Sequence, residues 1–297
     1  MDKQDGHYGL HPACFGKWFK SEDRAEFLGL VRRATSNNPP GAPDAGAWNT
    51  SFFQGNFKKY SAQLAGESYI FKVREDHVPE LPDVEYTCNR IGRLLKIPVP
   101  EFYLIEFSDN RTFVTKNFVK SSGTTTLNHI YHYLKDGEHN VENVMAIIEE
   151  QTNKPYYLDV FVKTCLYDSI IGNHDRHGRN LGFITSAKST VLSPIYDNTS
   201  ALGLESGSML QADFEPKGKI FTRDSQEPTT KDYVREFLRL GHRDSVDEFA
   251  SITRADKLLQ IVNEGFATPL MKDALSRLIQ KRCKELHDEF SKSNQSA

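Results

Sequence analysis

No apolar run among the 297 residues approaches the roughly 18 that a membrane-spanning helix requires. The opening MDKQDGHYGLHP has no apolar core of the kind a secretory signal carries, so the expected location is the cytoplasm. Cysteine is sparse. Cys14, Cys88, Cys165 and Cys283 are widely scattered, and two of them fall on apolar helical patterns. That spacing argues against a disulfide framework and for reduced core thiols. His7, His11 and Cys14 lack the fourth ligand a structural zinc site needs. Neither sign of charge dominates: 37 Lys and Arg face 40 Asp and Glu, for a net charge of −3. Bulk electrostatics therefore give no reason to expect direct nucleic-acid binding. Internal repeats and long low-complexity tracts are absent too, which excludes solenoid and propeller arrays. What remains, 38% hydrophobic and 26% charged, suits a globular chain long enough for one large or two modest lobes with a sizeable core.

The most informative stretch is Ser169 to Ser200, SIIGNHDRHGRNLGFITSAKSTVLSPIYDNTS. Asp175 and Asn180 sit in a turn-rich loop where Gly172, Asn173 and Gly178 break a helical pattern. Asp197 follows the apolar run Val191 to Tyr196, which reads as a strand ending in a turn. An Asp, an Asn five residues on, and a second Asp after a short hairpin match the needs of magnesium-dependent phosphoryl transfer. One carboxylate orients the proton of an attacking hydroxyl, while an amide oxygen and another carboxylate hold hard cations. Taken alone, the same residues also read as a polar loop capping a helix.

Upstream, residues 1–47 are mixed. HPACFGKWF reads as a short buried piece, and SNNPPGAPDAGAW reads as a flexible connection. From Asn49 to Val73 two strands are joined by a turn at Ala65-Gly66-Glu67. In the second strand Lys72 shares a face with Ile70, while Tyr69, Phe71 and Val73 point the other way. A lysine in such an apolar strand either snorkels from an edge or meets an anion, such as the phosphates of a nucleotide. The helix that follows carries Val84, Cys88, Ile91, Leu94 and Leu95 at helical spacing and stops before Pro98. Glu85, in its first turn, is explained by the helix dipole; pairing with Lys72 is the sharper reading. EFYLIEF and TFVTKNFV read as two more strands with a hairpin at Ser108-Asp109-Asn110. The end of the second would link into the next lobe, and a link of this kind can present backbone groups to an adenine edge, with Phe118 as an apolar wall.

From about Val119 the pattern is mainly helical. VENVMAIIEEQT is one helix, and Tyr157 to Ile171 is a buried one that delivers the chain into the Asp175 loop. A long irregular segment follows Asp197, a candidate lid or substrate-binding surface. Helices occupy Thr229 to about Phe290, the last with Met271, Leu275, Leu278, Ile279, Cys283, Leu286 and Phe290 on one stripe.

Asp175, His177 and Asn180 in NHDRHGRN and Asp197 in SPIYDNTS resemble the catalytic and metal-binding segments of HipA-like serine/threonine kinases. FQGNFKKYSAQL occupies the place of that family's glycine-rich loop, YIFKV is similar to its phosphate-lysine strand, and VTKNFV falls at its hinge. DVEYTCNRIGRLLKIPVPEFYLIEF is similar to its acidic helix and following strand. These segments occur in family order. The resemblance implies an α+β, two-lobed, protein-kinase-like fold using ATP and Mg2+. Residues 1–48 would be an N-terminal segment and linker, 49–118 a small antiparallel-sheet lobe, and 119–297 a helical lobe. By position, Asp175 would be the catalytic base, with Asn180 and Asp197 on magnesium. Lys72 would bind the phosphates, oriented by Glu85, under a cover formed by Gly55, Asn56 and Phe57. His177 and Arg179 would lie beside the nucleotide, and Lys116, Asn117 and Phe118 would line the adenine site. A protein substrate is implied, as is an antitoxin partner where members are toxins of toxin–antitoxin modules. An effector member would be delivered to a host cell.

Two departures stand out. Longer members carry a substantial N-terminal subdomain, whereas only about fifty residues precede Gly55, as in a compact member. A regulatory serine or SxS pair often precedes the loop glycine, but Phe52, Phe53 and Gln54 stand here, with Ser51 nearby. Two other readings stay open. DRHxxN is shared with phosphatidylinositol kinases, so a lipid or small-molecule phosphotransferase is one, although YDNTS lacks their DFG form. A nucleotide-binding regulatory subunit acting through a DNA-binding partner is the other.

Overall fold

A computed structural model describes residues 6–32, 59–119, 124–134 and 139–295. The first sheet is antiparallel, in the order β1-β2-β3-β5-β4. Its strands are β1 (Leu28–Arg32), β2 (Lys59–Leu64), β3 (Glu67–Val73), β4 (Phe102–Phe107) and β5 (Asn110–Lys116). Alternation divides its faces as the sequence predicts. Tyr69, Phe71, Tyr103, Ile105 and Val114 pack with Phe15 and Phe19 of helix α1 (Pro12–Phe19) in an aromatic-rich cluster. HPACFGKWF is thus a helix covering the outer face of the sheet. Across the other face lies helix α2 (Leu81–Leu94), started by Pro82 in its first turn, where a missing N–H costs nothing.

The second part is built on helices α3 (Val141–Thr152), α4 (Pro155–Ile171), α6 (Thr230–Arg239), α7 (Arg243–Ile252), α8 (Ala255–Glu264) and α9 (Pro269–Gln295), with a single-turn helix, α5 (Ser208–Gln211), between α4 and α6. Apolar on nearly every side, α4 is enclosed: Phe161, Val162, Leu166, Tyr167, Ile170 and Ile171 are fully buried. No helix among the described residues is long and apolar enough to cross a membrane.

Gly172 ends α4 in the left-handed conformation, φ 70°, and its N–H donates to the Asp168 carbonyl. A Cβ there would stand 2.6 Å from Leu278 of α9 and 3.0 Å from Pro216, so only glycine permits both the turn and the close packing. That turn aims the chain into the Asp175 loop.

The stretch after Val119 is mainly helical, as expected, and β6 (Thr125–His129), β7 (Gly182–Ser186) and β8 (Thr190–Leu192) add a three-stranded antiparallel sheet to it. Strand β6 pairs with β7 through Leu127 opposite Ile184, a partner too distant in sequence for local patterning to reveal. The strand expected over Val191 to Tyr196 ends at Leu192, because Pro194 has no N–H to continue the ladder.

Candidate active site

In β2 and β3, Lys59 and Lys72 stand directly opposite each other in register. Both are almost wholly buried, at 4% and 7% exposure. Lys72 Nζ donates to the two carboxylate oxygens of Glu85 on α2 at 2.5 and 2.6 Å. It also pairs with Asp197 Oδ1 at 2.6 Å. Lys59 Nζ reaches both Asp197 oxygens, at 3.2 and 3.1 Å. The sharper reading of Glu85 is therefore the one observed, and the lysine does not snorkel. Burial on its own would push the Lys72 ammonium down, but the Asp197 and Glu85 carboxylates outweigh it and hold the group above the ordinary lysine range. For Asp197 burial opposes ionisation, yet the Lys59 and Lys72 ammoniums pull its carboxyl below the usual carboxylate range.

Asp197 itself adopts a left-handed backbone conformation, φ 53°. Such a conformation is uncommon outside glycine, though aspartate tolerates it better than most.

Asp175 is different in kind. Its side chain is 62% exposed, and its backbone N–H donates to Asn173 Oδ1 at 2.9 Å. The Asn180 amide donates to the Asp175 carbonyl at 2.7 Å and to its carboxylate at 3.3 Å. This turns the Asn180 Oδ1, the atom a hard cation would take, away from Asp175. His177 lies 3.6 Å from the Asp175 carboxylate, and its Nδ1 accepts from the Arg179 N–H at 3.1 Å.

One side chain passed over in the sequence ties these pieces together. Arg176, 2% exposed, makes two parallel bonds to Asp168 of α4 at 2.8 and 2.9 Å. Its remaining donors reach the Asn180 carbonyl at 3.1 Å, the Tyr196 carbonyl at 2.6 Å and the Asn198 side chain at 2.7 Å. Asn198 in turn donates to Asn89 of α2, whose amide donates to the Glu85 carbonyl at 2.8 Å. A continuous buried polar chain thus runs from α4 through the Asp175 loop and both flanks of Asp197 to Glu85. The signal for it was Asp168, a carboxylate set within the apolar run CLYDSII, where burial requires a partner.

Residues 45–265 match the HipA-like C-terminal domain. The chain belongs to the HipA-like family. Its fold is similar to that of the Helicobacter pylori proinflammatory kinase CtkA, with a TM-score of 0.65 at 19% identity over 78% of this chain and 92% of that one. It is also similar to HipA of Shewanella oneidensis MR-1, seen in a complex with HipB and operator DNA, with a TM-score of 0.53 at 13% identity. That match covers 76% of this chain and 61% of the Shewanella protein. No curated protein sequence matches it.

In this HipA-like chain the segment expected to line a base packs where the two sheets meet. The Asn117 N–H donates to the Ser68 carbonyl, and Asn117 Oδ1 accepts from the Val119 N–H at 3.0 Å. Ile70, Val119, Leu127 and Tyr196 form a small apolar cluster, with Phe118 5.8 Å from the Tyr196 ring. Lys116 leans away to Glu67 at 3.0 Å, and the Arg179 guanidinium lies over the Tyr131 ring. Gly55, Asn56 and Phe57 lie outside the described residues. His7, in the N-terminal segment, contacts the Ala25 carbonyl at 2.8 Å and packs against Phe15.

The Tyr196 hydroxyl donates to the Arg179 carbonyl, so it accepts from Nδ1–H of His129 at 3.0 Å. His129 Nε2 is buried without a hydrogen-bond partner among the described residues. Burial first, and then repulsion from His132, His177 and Arg179, lower its pKa from 6.5 to about 4. The unfolded chain takes up this proton near pH 6.5 and the folded chain only near 4. Stability from the neutral ring is therefore complete above about pH 6.5 and is lost as pH falls toward 4, by up to about 3 kcal/mol. In urea unfolding, the difference between wild type and His129→Gln is expected to shrink steadily over that window. A difference that stays constant would show that His129 does not contribute to the acid sensitivity.

Proposed function

We propose that this chain is an ATP- and magnesium-dependent protein serine/threonine kinase. The observation that carries the reading is the buried Lys72–Glu85 pair with Asp197 beside it, joined through Arg176 to the exposed Asp175. The donor set suits the groups it would hold. Two buried ammoniums fit a polyphosphate, and an amide oxygen with a carboxylate fits a hard cation that keeps substrate oxygens among its ligands. When bound, magnesium would offset negative charge on the phosphates.

Asp175 orients the hydroxyl of the substrate and receives its proton. Exposure suits this role, because an acceptor side chain must reach the carboxylate from solvent. Lys72, held in direction by Glu85, meets the phosphates, and Asn180 and Asp197 supply the cation ligands. The apolar cluster of Ile70, Phe118, Val119, Leu127 and Tyr196 forms walls for an adenine ring. Residues 49–118, together with α1 and β1 from the 1–48 segment, which cover and complete their sheet, act as the nucleotide-covering lobe, and 119–297 act as the substrate lobe. The neighbour named a kinase supports this reading. The neighbour seen with HipB and operator DNA supports a DNA-binding protein as an antitoxin-like partner.

Incubation of the protein with γ-labelled ATP, magnesium and cell lysate tests the proposal, with mass spectrometry locating the label. Phosphoserine or phosphothreonine on a protein is the expected result. Label found only in lipid or small molecules, or ATP binding with no transfer, would overturn it in favour of the two alternatives.

A further inference from the structure

The lysine of strand β3 accounts for one cation at the phosphates, yet the structure buries two lysines there. Like charges placed directly opposite each other on one sheet face repel, and burial aggravates this by removing water. The Lys59 and Lys72 ammoniums nevertheless occupy such a cross-strand pair, at 4% and 7% exposure. Glu85 and Asp197 make that arrangement tenable. Among the described residues the Glu85 carboxylate is held at hydrogen-bond distance by Lys72, whereas Asp197 receives both lysines. The carboxylate assigned to a cation is therefore occupied by two ammoniums, one of which, Lys59, holds both of its oxygens.

Resting on the kinase reading, we propose that Lys59 is a second phosphate-binding lysine that, before nucleotide arrives, blocks Asp197 against divalent cations. For Asp197 to take a cation, the ammoniums on it must find other anions. A di- or triphosphate supplies them; a nucleoside monophosphate, with no β-phosphate, reaches the pair poorly. Cation and polyphosphate then enter together, each removing the charge that would otherwise oppose the other. Divalent cation alone meets a site whose net charge the lysines have already cancelled. No bond is made or broken in this exchange, only ion pairs.

The test uses the full chain and two readouts. Binding of Mn2+ to nucleotide-free protein, followed by electron paramagnetic resonance, is expected to be weak in wild type. It should strengthen about tenfold in Lys59→Met, the scale of one close charge interaction removed from a partly screened site. Calorimetry with magnesium should show ATP and ADP affinity falling about tenfold or more in the same variant, with AMP affinity nearly unchanged. Lys59→Arg, which keeps the charge, should restore most of the ATP affinity. Unchanged Mn2+ binding, or equal losses for ATP and AMP, would overturn the proposal and leave Lys59 with a structural ion pair only. Should wild type bind no nucleotide at all, the kinase reading falls. The Mn2+ measurement, which needs none, would still decide whether Lys59 blocks Asp197. If Lys59→Met fails to fold, Lys59→Gln gives the same comparison with a polar side chain of similar reach.

Discussion

Asp175→Ala is expected to lower phosphate transfer about a thousandfold while leaving the protein folded. Positioned proton acceptors contribute roughly 10²–10⁴ in rate. An Asp whose side chain is 62% exposed contributes little to packing. Stability should change by no more than about 0.5 kcal/mol, as for other surface substitutions. The Asn180 amide retains its bond to the Asp175 carbonyl at 2.7 Å, so the loop keeps its shape without the carboxylate. Lys72, Glu85 and Asp197 are untouched, and ATP affinity should hold. Single-turnover transfer with thermal unfolding of the same preparations checks both halves of the prediction. Wild-type transfer by a folded Asp175→Ala protein would remove Asp175 from the chemistry.

Arg176→Met is expected to have the largest effect on stability. Methionine fills much of the same space but abandons Asp168, whose side chain is 6% exposed and, among the described residues, keeps just the Asn173 amide at 3.0 Å. Breaking a buried ion pair by removing one partner costs about 3–5 kcal/mol, because the remaining charge has no adequate partner. Changing both partners, Arg176→Met with Asp168→Leu, removes the stranded charge and should recover most of that loss in urea unfolding. Transfer should not recover with it. The bonds from Arg176 to the Tyr196 carbonyl and the Asn198 side chain hold both neighbours of Asp197, and neither replacement remakes them. Displacement of a reacting group by about 1 Å can cost about a hundredfold in rate. Full activity in the stabilised double variant would show that Arg176 supports the fold without positioning the site.

These two residues illustrate what was legible. The Asp175 loop was readable because it is set by neighbours within a few positions: turn-forming residues, Asn180 five residues on, and a buried helix delivering the chain. Arg176, adjacent to Asp175, was not. Its partners come from α4, from the loop itself and from both sides of Asp197, and no local spacing announces that set.

The sequence by itself determined the alternation that turns Tyr69 and Phe71 to one face of β3 and Ile70 and Lys72 to the other. It also determined the period of α2, the enclosure of α4 and the glycine stop at Gly172. Each depends on backbone geometry over a few residues, which composition and spacing record directly. Tertiary structure decided the rest. It chose between the dipole and Lys72 as the reason for Glu85, and it paired β6 with β7. It also set Lys59 against Asp197, a residue 138 positions away. Burying a charged group is unfavourable until another segment supplies its counter-charge. Which segment does so is settled only when the chain has folded and the distant groups meet.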